Sequence, residues 1–507
     1  MKKIIRILFS RITVIALLFV LEILFIFSAF TLLGDAYGWI DGILRLISFV
    51  FVLTTIRDST HLSSDILYML ICLLFPVMGA IFLLFTVTSM LSNRLFYRVM
   101  KEEKKSEAYL IQDEAVLPEI RQKDKAAYLQ ARYLSDHCGY PAYRNSQFDY
   151  YKCGEEGYPV MLEELKKAKE YIFLEYFIIE KGKMWDGIHD ILKQKAKEGV
   201  LVRVMYDDMG SLMTVKSDFA QSLEKEGIHC VSFNRLHPLV SVFMNHRDHR
   251  KIMVIDGKVA FSGGVNLADE YINAIVKHGY WKDNIIRIQG PAVWSYCVLF
   301  LKNWNGVTQE DKDYSIYRRS AEEDGEDGYI IPYGQTPLGN SNVGQNVYMN
   351  ILNTAENYVY IYTPYLIIDE TMVNALILAA QRGVDVRLVT PGIPDKKIVW
   401  EVTRSYYNTL IRGGVKIYEY TPGFDHAKVF VSDDQYAAVG TLNLDYRSLY
   451  LHFENGTYLY GSKEIAKIRA DLEEAFTKSH LVSEKESRTG FFRSLFRSFL
   501  RIIAPQM

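Results

Sequence analysis

Apolar residues are spread unevenly along the chain. In the first hundred residues they form long runs, whereas after residue 150 they come as short blocks between amphipathic stretches. Ile12 to Leu33 is a 22-residue run broken only by Glu22 and preceded by Lys2, Lys3, Arg6 and Arg11. At ~1.5 Å per residue it is long enough to cross a hydrocarbon core. Ile66 to Leu91 is 26 residues without a charge, followed by Arg94, Arg98, Lys101, Lys104 and Lys105. Both predict membrane helices, and Pro76 and Gly79 predict a kink in the second. Between them, 38–56 is apolar but carries Asp41 and Arg45, so it is ambiguous: re-entrant, interfacial or a third helix. A cleaved signal peptide is disfavoured, because no small-residue cleavage site follows the first run and a second apolar helix does. Two spans would place both basic clusters in the cytoplasm, with everything after residue 94.

Beyond 150 the pattern predicts an α/β protein that repeats itself. AKEYIFLEYFII (Ala168–Ile179) matches AENYVYIYTPYLII (Ala355–Ile368), each a continuously apolar strand after a helical stretch. AKEGVLVRVMYDDMGS then matches AQRGVDVRLVTPGIPD, each a helix stopped by a glycine, Gly199 or Gly383, before another strand. Continuously apolar strands alternating with helices indicate a mainly parallel or mixed sheet covered on its faces. The expected organisation is a membrane anchor over 1–100, with spans at about 12–33 and 66–91, and a connector over 101–150. A first half over 151–311, a polar linker over 312–342, a second half over 343–484 and a basic amphipathic helix over 485–507 complete it. Two such halves suggest a pseudo-two-fold sandwich with one site at the seam; two independent domains, each with its own site, fit the pattern as well.

The repeat carries its chemistry in one stretch per half. Asn245–Asn266 and Phe424–Asn443 share His-x-Lys, four residues, Asp, six residues, Gly, Gly or Thr, one residue, Asn. The first copy supplies His249, Lys251, Asp256, Gly263, Gly264 and Asn266; the second supplies His426, Lys428, Asp433, Gly440, Thr441 and Asn443. A lone His-x-Lys means little, but six positions in one register, twice, is a specific signal. The two-residue spacing points each histidine and lysine to the same face of a strand. If the halves meet, two imidazoles, two ammoniums and two carboxamides converge, which suits a phosphodiester. Lysine and asparagine hold its oxygens, one imidazole attacks phosphorus, and the other moves the proton. Asp256 and Asp433 belong to the motif, and support of the turn or fold is the task expected of them. Arg250 and Lys258 have an ordinary surface reading. Asp283 and Asn284 open a strand after the first motif and Glu454 and Asn455 after the second; such carboxylates, set opposite the histidines, would fix their tautomers.

Composition removes several classes. The net charge of −2 leaves no basic footprint for nucleic acid. Five cysteines without a CxxC spacing fit a reducing compartment rather than a disulfide framework or a zinc cage. A lysine between the motif histidine and aspartate repels a cation, so neither metal nor cofactor is expected.

The duplicated motif resembles that of the phospholipase D superfamily. Further stretches, among them FLEYFII, VRVMYDDMGS, DHRKIMVIDGKVAFSGGVNLADEY and GTLNLDYRSLYLHFEN, are similar to bacterial cardiolipin synthases. The resemblance runs from about residue 60 to the C-terminus, and departs at His452, where an asparagine is common. It implies transfer of a phosphatidyl group between two phosphatidylglycerols through a phosphatidyl-histidine, with His249 as nucleophile and His426 as acid/base. It implies too that a carboxylate at Glu454, and by the repeat Asp283, pairs with a motif histidine, and that the enzyme sits in the bacterial cell membrane. A phospholipase D hydrolase, a phosphatidylserine-type synthase and a catalytically silent lipid-binding scaffold are the rival readings. At the C-terminus, Phe492, Leu495, Phe496, Phe499 and Ile503 interleave with Arg493, Arg497 and Arg501, suiting an anionic bilayer surface; docking on the protein's own core is the alternative. Oligomeric state is not written in the chain.

Overall fold

A computed structural model describes residues 20, 22–24, 27, 34–58, 62–75, 77, 79–80, 94–235, 245–319, 328–339 and 341–506. The chain separates into two compact units: 1–94 with 236–245 and 498–507, and 95–235 with 246–497.

In the first unit, Gly34–Asp58 is one helix of 25 residues. It takes in the ambiguous segment, and Gly38–Arg57 is long and apolar enough to cross a membrane by length and composition. The charges that argued against a span lie one helical turn apart, and Arg45 Nε bonds Asp41 Oδ2 at 2.6 Å, so they screen one another. Phe51 and Val52 pack with Met69 and Cys72 of the following helix, Leu62–Leu74. Most of the expected span 12–33, and of 66–91 beyond Leu74, lies outside the described residues. Among the described residues Gly38–Arg57 is the one candidate span.

The second unit holds two sheets of matching order. The first half contributes β1 (Gln147–Tyr151), β2 (Tyr171–Tyr176), β3 (Leu201–Asp207), β4 (His229–Phe233), β5 (Lys251–Ile255), β6 (Val259–Gly263), β7 (Tyr280–Lys282) and β8 (Ile285–Gln289). The second contributes β9 (Tyr329–Gln335), β10 (Tyr358–Tyr362), β11 (Leu366–Ile367), β12 (Asp385–Pro391), β13 (Lys416–Tyr420), β14 (Gly423–Asp425), β15 (Val429–Ser432), β16 (Tyr436–Gly440), β17 (Leu444–Asp445), β18 (Glu454–Tyr460) and β19 (Ser479–Leu481). The sheets run β1-β8-β6-β5-β2-β3-β4 and β9-β18-β16-β15-β10-β12-β13-β19, the same order with one strand added at an edge. In both, the apolar strands β2 and β10 pair in parallel with β3 and β12, and antiparallel with the motif strands β5 and β15. The helices before β3 and β12 end at residues 197 and 381, and Gly199 and Gly383 take φ of +89° and +96°, the left-handed stop that glycine allows.

The seam explains why one helix lacks an exposed face. Val293–Thr308 is almost wholly buried and packs on β2, β5 and β6 of its own half and on β9 of the other. Its counterpart Glu464–Thr477 packs on β1 of the first half and β10 of the second. Within the stretch 312–342, read as linker, the short run YIIPYGQ is strand β9, fully buried on the edge beside β18. Pro332 and the polar flanks hide it in the sequence, and an edge strand is where a sheet tolerates proline.

The motif hairpins turn in the same way. Asp256 and Gly257 have φ of +51° and +64°, Asp433 and Asp434 +53° and +56°, and each turn closes with a bond from Lys258 N to Ile255 O or Gln435 N to Ser432 O, both 3.0 Å. Each aspartate accepts three backbone N–H groups: Asp256 from Lys169, Glu170 and Tyr171 at 2.8–2.9 Å, and Asp433 from Glu356, Asn357 and Tyr358 at 2.8–2.9 Å. These groups open β2 and β10, so each aspartate ties the hairpin to the head of the neighbouring strand. Replacing Asp256 by alanine strands three donors and disfavours the left-handed turn. It is expected to cost about 2–4 kcal/mol in denaturant unfolding, while the protein that remains folded keeps its substrate KM.

Candidate functional site

The ends of the motif strands opposite those turns bring the two halves together. His249 N donates to Phe453 O at 2.9 Å, and His426 N donates to Lys282 O at 2.7 Å. Parallel pairing of β7 with β14 joins the halves beside this point. Each histidine is thereby set against a carboxylate of the other half. His249 Nδ1 lies 2.9 Å from both Oε1 and Oε2 of Glu454, and His426 Nδ1 lies 2.6 Å from Oδ2 of Asp283. Glu454 and Asp283 are wholly buried, and the histidines are 7% and 6% exposed. With Nδ1 turned to its carboxylate, each Nε2 is the nitrogen left for a substrate.

Each carboxylate is held by its own half. Gly263 and Gly440 pass so close to the next strand that a Cβ would stand 2.3 Å from the carbonyl oxygen of Asn284 or Asn455. After this crossing the halves diverge. A Cβ on Gly264 would lie 1.9 Å from Asp283 Oδ1, so the shorter carboxylate needs glycine there. Thr441, at the equivalent position, donates its hydroxyl to Glu454 Oε2 at 2.5 Å.

The lysines share the histidines' face. Lys251 Nζ bonds His249 O at 2.7 Å; Lys428 Nζ bonds His426 O and stands 2.8 Å from His426 Nδ1. Both are buried. Burial and mutual repulsion lower Lys251 to about 7, and burial lowers Lys428 to about 8. Burial, then the lysine charges, hold both imidazoles well below their ordinary value, so both are neutral in the free protein. Burial raises Asp283 to about 6.

The asparagines differ. Asn266 accepts from Ile178 N at 3.1 Å and donates to Tyr271 Oη at 2.7 Å, whereas Asn443 donates to Asp445 at 2.9 Å and leaves Oδ1 without a partner among the described residues. Asp256 and Asp433 are not brought to the site: seven residues of extended chain, roughly 20 Å, separate each from its histidine. Their oxygens are spent on backbone groups at the far end of the hairpin. Arg250 departs from its surface reading. It is fully buried, donating to Glu454 O at 3.2 Å and Leu299 O at 3.1 Å, so it braces the seam; Lys258 is exposed.

Several site residues escaped the sequence. Phe177 meets His249 edge-on at 4.9 Å between ring centres, and Tyr271 meets His426 at 5.4 Å. Lys396, in the loop after β12, adds a charge that acts on both imidazoles. None lies at motif spacing, and only the repeat of strand ends could have pointed to them. Ligand atoms of His249, His452 and Glu454 lie within 4.8 Å of one another, the kind of trio that can take a cation. The Glu454 carboxylate already receives His249 and Thr441, and two ammoniums share the pocket, so the donor set as a whole matches an anion better.

Two half-sites that exchange their carboxylates across a pseudo-two-fold define a phospholipase D-type α/β fold. The chain belongs to the family described as cardiolipin synthase, PLD-like domain, which matches residues 161–293 and 348–476. It is 44% identical to an uncharacterised protein of Streptococcus mutans over 90% of this chain and 99% of that one. It is 32% identical to a cardiolipin synthase of Alkalihalophilus pseudofirmus over 93% of this chain and 95% of that one. The crystal structure of phosphatidylserine synthase from Haemophilus influenzae shares the fold, with a TM-score of 0.56 at 16% identity, covering 72% of this chain and 96% of that one.

Two ammoniums with lowered pKa predict how the free site binds an anion. Sulfate keeps its charge near neutrality, so any change in its affinity reports the protein. As pH rises through the lysine values, the ammoniums lose their protons, and sulfate Kd measured by calorimetry is expected to rise about tenfold from pH ~6.5 to ~8.5.

Proposed function

We propose that this chain is a phosphatidyltransferase that converts two phosphatidylglycerols to cardiolipin and glycerol, without a metal, through a phosphatidyl-histidine. The observation that carries the reading is the crossed pairing of His249 with Glu454 and of His426 with Asp283, beside Lys251 and Lys428. The sequence relatives named cardiolipin synthase support the choice of substrate.

The phosphodiester of the first lipid binds with its non-bridging oxygens toward the two ammoniums. Its negative charge raises the lysines and imidazoles it touches, restoring the ammoniums and letting His426 enter protonated. With its Nδ1 proton held by Glu454, His249 directs the Nε2 lone pair at phosphorus; the N–P bond forms as the bond to the glycerol oxygen breaks. His426 gives that oxygen its proton and glycerol leaves. The terminal hydroxyl of a second phosphatidylglycerol then loses its proton to His426, its oxygen bonds phosphorus, and the N–P bond breaks. Asp283 stabilises the imidazolium that forms each time. Lys251 and Lys428 stabilise the charge that develops on the equatorial oxygens.

A buried site for a lipid headgroup fits an integral protein of the bacterial cell membrane that works on anionic lipids. The apolar helix Gly38–Arg57 supports this, as do the runs 12–33 and 66–91. The basic residues from Arg94 to Lys105 after the last apolar run favour a cytoplasmic catalytic domain.

The test uses purified full-length protein in micelles of phosphatidylglycerol with divalent metal chelated, followed by mass spectrometry. Cardiolipin and glycerol in equal amounts are expected, and His249→Ala or His426→Ala should lower turnover by about 10³-fold or more. Phosphatidic acid as the main product overturns the transferase reading in favour of a hydrolase. Bound lipid without turnover points to a scaffold.

A further inference from the structure

The rings beside the two motif histidines break the internal two-fold in polarity. Trp281, two residues before Asp283, has its ring centre 5.5 Å from that of His426, tilted by 44°. His452, two residues before Glu454, has its ring centre 5.5 Å from that of His249, tilted by 42°. The position is the same, but one half uses an indole and the other an imidazole. Around His426 the wall is otherwise aromatic, with Tyr271 and Phe424 beside Trp281. Around His249, Phe177 covers one side and His452 makes the other polar.

His452 is more than nine-tenths buried, yet neither Nδ1 nor Nε2 has a hydrogen-bond partner among the described residues. Glu454 Oε1 lies 3.6 Å from Nδ1, beyond hydrogen-bond length, and that carboxylate is already engaged by His249 and Thr441. A buried ring with both nitrogens unsatisfied is unfavourable until a ligand supplies partners. Asn443, from the same half, leaves its Oδ1 unsatisfied too, whereas its counterpart Asn266 is fully bonded. Burial lowers His452 to about 3, so the ring is neutral and offers one donor and one acceptor. A phosphate presents only acceptors and already has two lysines. A hydroxyl donates and accepts, so it can pair with either nitrogen of a neutral imidazole, the protonated or the bare one.

We propose that His452 is a substrate-contacting residue that binds a free hydroxyl of the glycerol headgroup and so favours a polyol over water as acceptor of the phosphatidyl group. The inference rests on the phosphatidyltransferase reading above. It concerns how the shared intermediate partitions. The N–P bond breaks as phosphorus bonds either the oxygen of a lipid alcohol, giving cardiolipin, or that of water, giving phosphatidic acid; in both cases the acceptor's proton goes to the second histidine.

Because both products drain one intermediate, their ratio does not depend on how much protein is folded. Full-length protein in phosphatidylglycerol micelles is assayed by mass spectrometry for phosphatidic acid against cardiolipin. His452→Phe keeps a ring and removes both polar atoms; it is expected to raise that ratio about fivefold or more. His452→Asn retains a donor and an acceptor and is expected to stay within about twofold of the parent. An unchanged ratio in His452→Phe overturns the proposal. A second measurement needs no variant. The parent protein is offered equal deuterated glycerol and deuterated 1-propanol, and label in the phosphatidyl products is counted. Glycerol is expected to be used about tenfold more than 1-propanol, which lacks a second hydroxyl; equal use overturns the proposal. A parent protein that makes neither cardiolipin nor labelled product refutes the transferase reading itself, a result distinct from either of these.

Discussion

Neither half of this protein can hold its own motif histidine. The carboxylate that faces His249 belongs to the second half and the one that faces His426 to the first. A buried imidazole beside two buried ammoniums is unfavourable unless an acceptor stands on its far nitrogen, and each half supplies that acceptor only to the other. Much else serves this exchange. The glycines at 263 and 440 bring β6 and β16 against the segments that carry the carboxylates, and β7 with β14 joins the halves at the seam. Arg250 clamps the backbone of Glu454 itself. Helix 293–308 is almost wholly buried because it lies against both sheets, and helix 464–477 touches both sheets as well.

The symmetry is kept in the backbone and broken in the side chains. Both motif strands, both turns and both backbone bonds at the histidines repeat. The carboxylates differ by one methylene, and the residue behind each differs with it: glycine where the aspartate crowds in, threonine where the glutamate leaves room for a hydroxyl. The asparagines differ in what they bond, and the rings beside the histidines differ in polarity. A two-step transfer asks different things of its two imidazoles, and a duplicated scaffold meets that demand through substitutions that leave the strands in place.

How much of this was legible depends on the range of the interaction. The strands showed as apolar runs, their helices as amphipathic stretches ended by glycine, and the repeat as shared spacing. Asp41 and Arg45 made a long helix look interrupted, although their spacing of four is that of a screened pair. Strand β9 was hidden by its proline and polar flanks. Arg250 looked like a surface residue because nothing near it in sequence hints that Leu299 and Glu454 surround it. Asp256 and Asp433 sat in the motif beside the histidines and lysines by spacing alone, while seven residues of chain carry them to the far end of the hairpin.

The amino-acid sequence by itself determined the elements, their duplication, and the set of imidazoles, ammoniums and carboxylates, because periodicity and residue type are local properties. The tertiary structure decided which carboxylate meets which histidine, across 205 and 143 residues of chain. It also decided the charge states, since burial in a shared pocket moves lysines and histidines far from the values they have in water. Both depend on two sheets closing face to face, and spacing along one strand carries no information about what stands opposite.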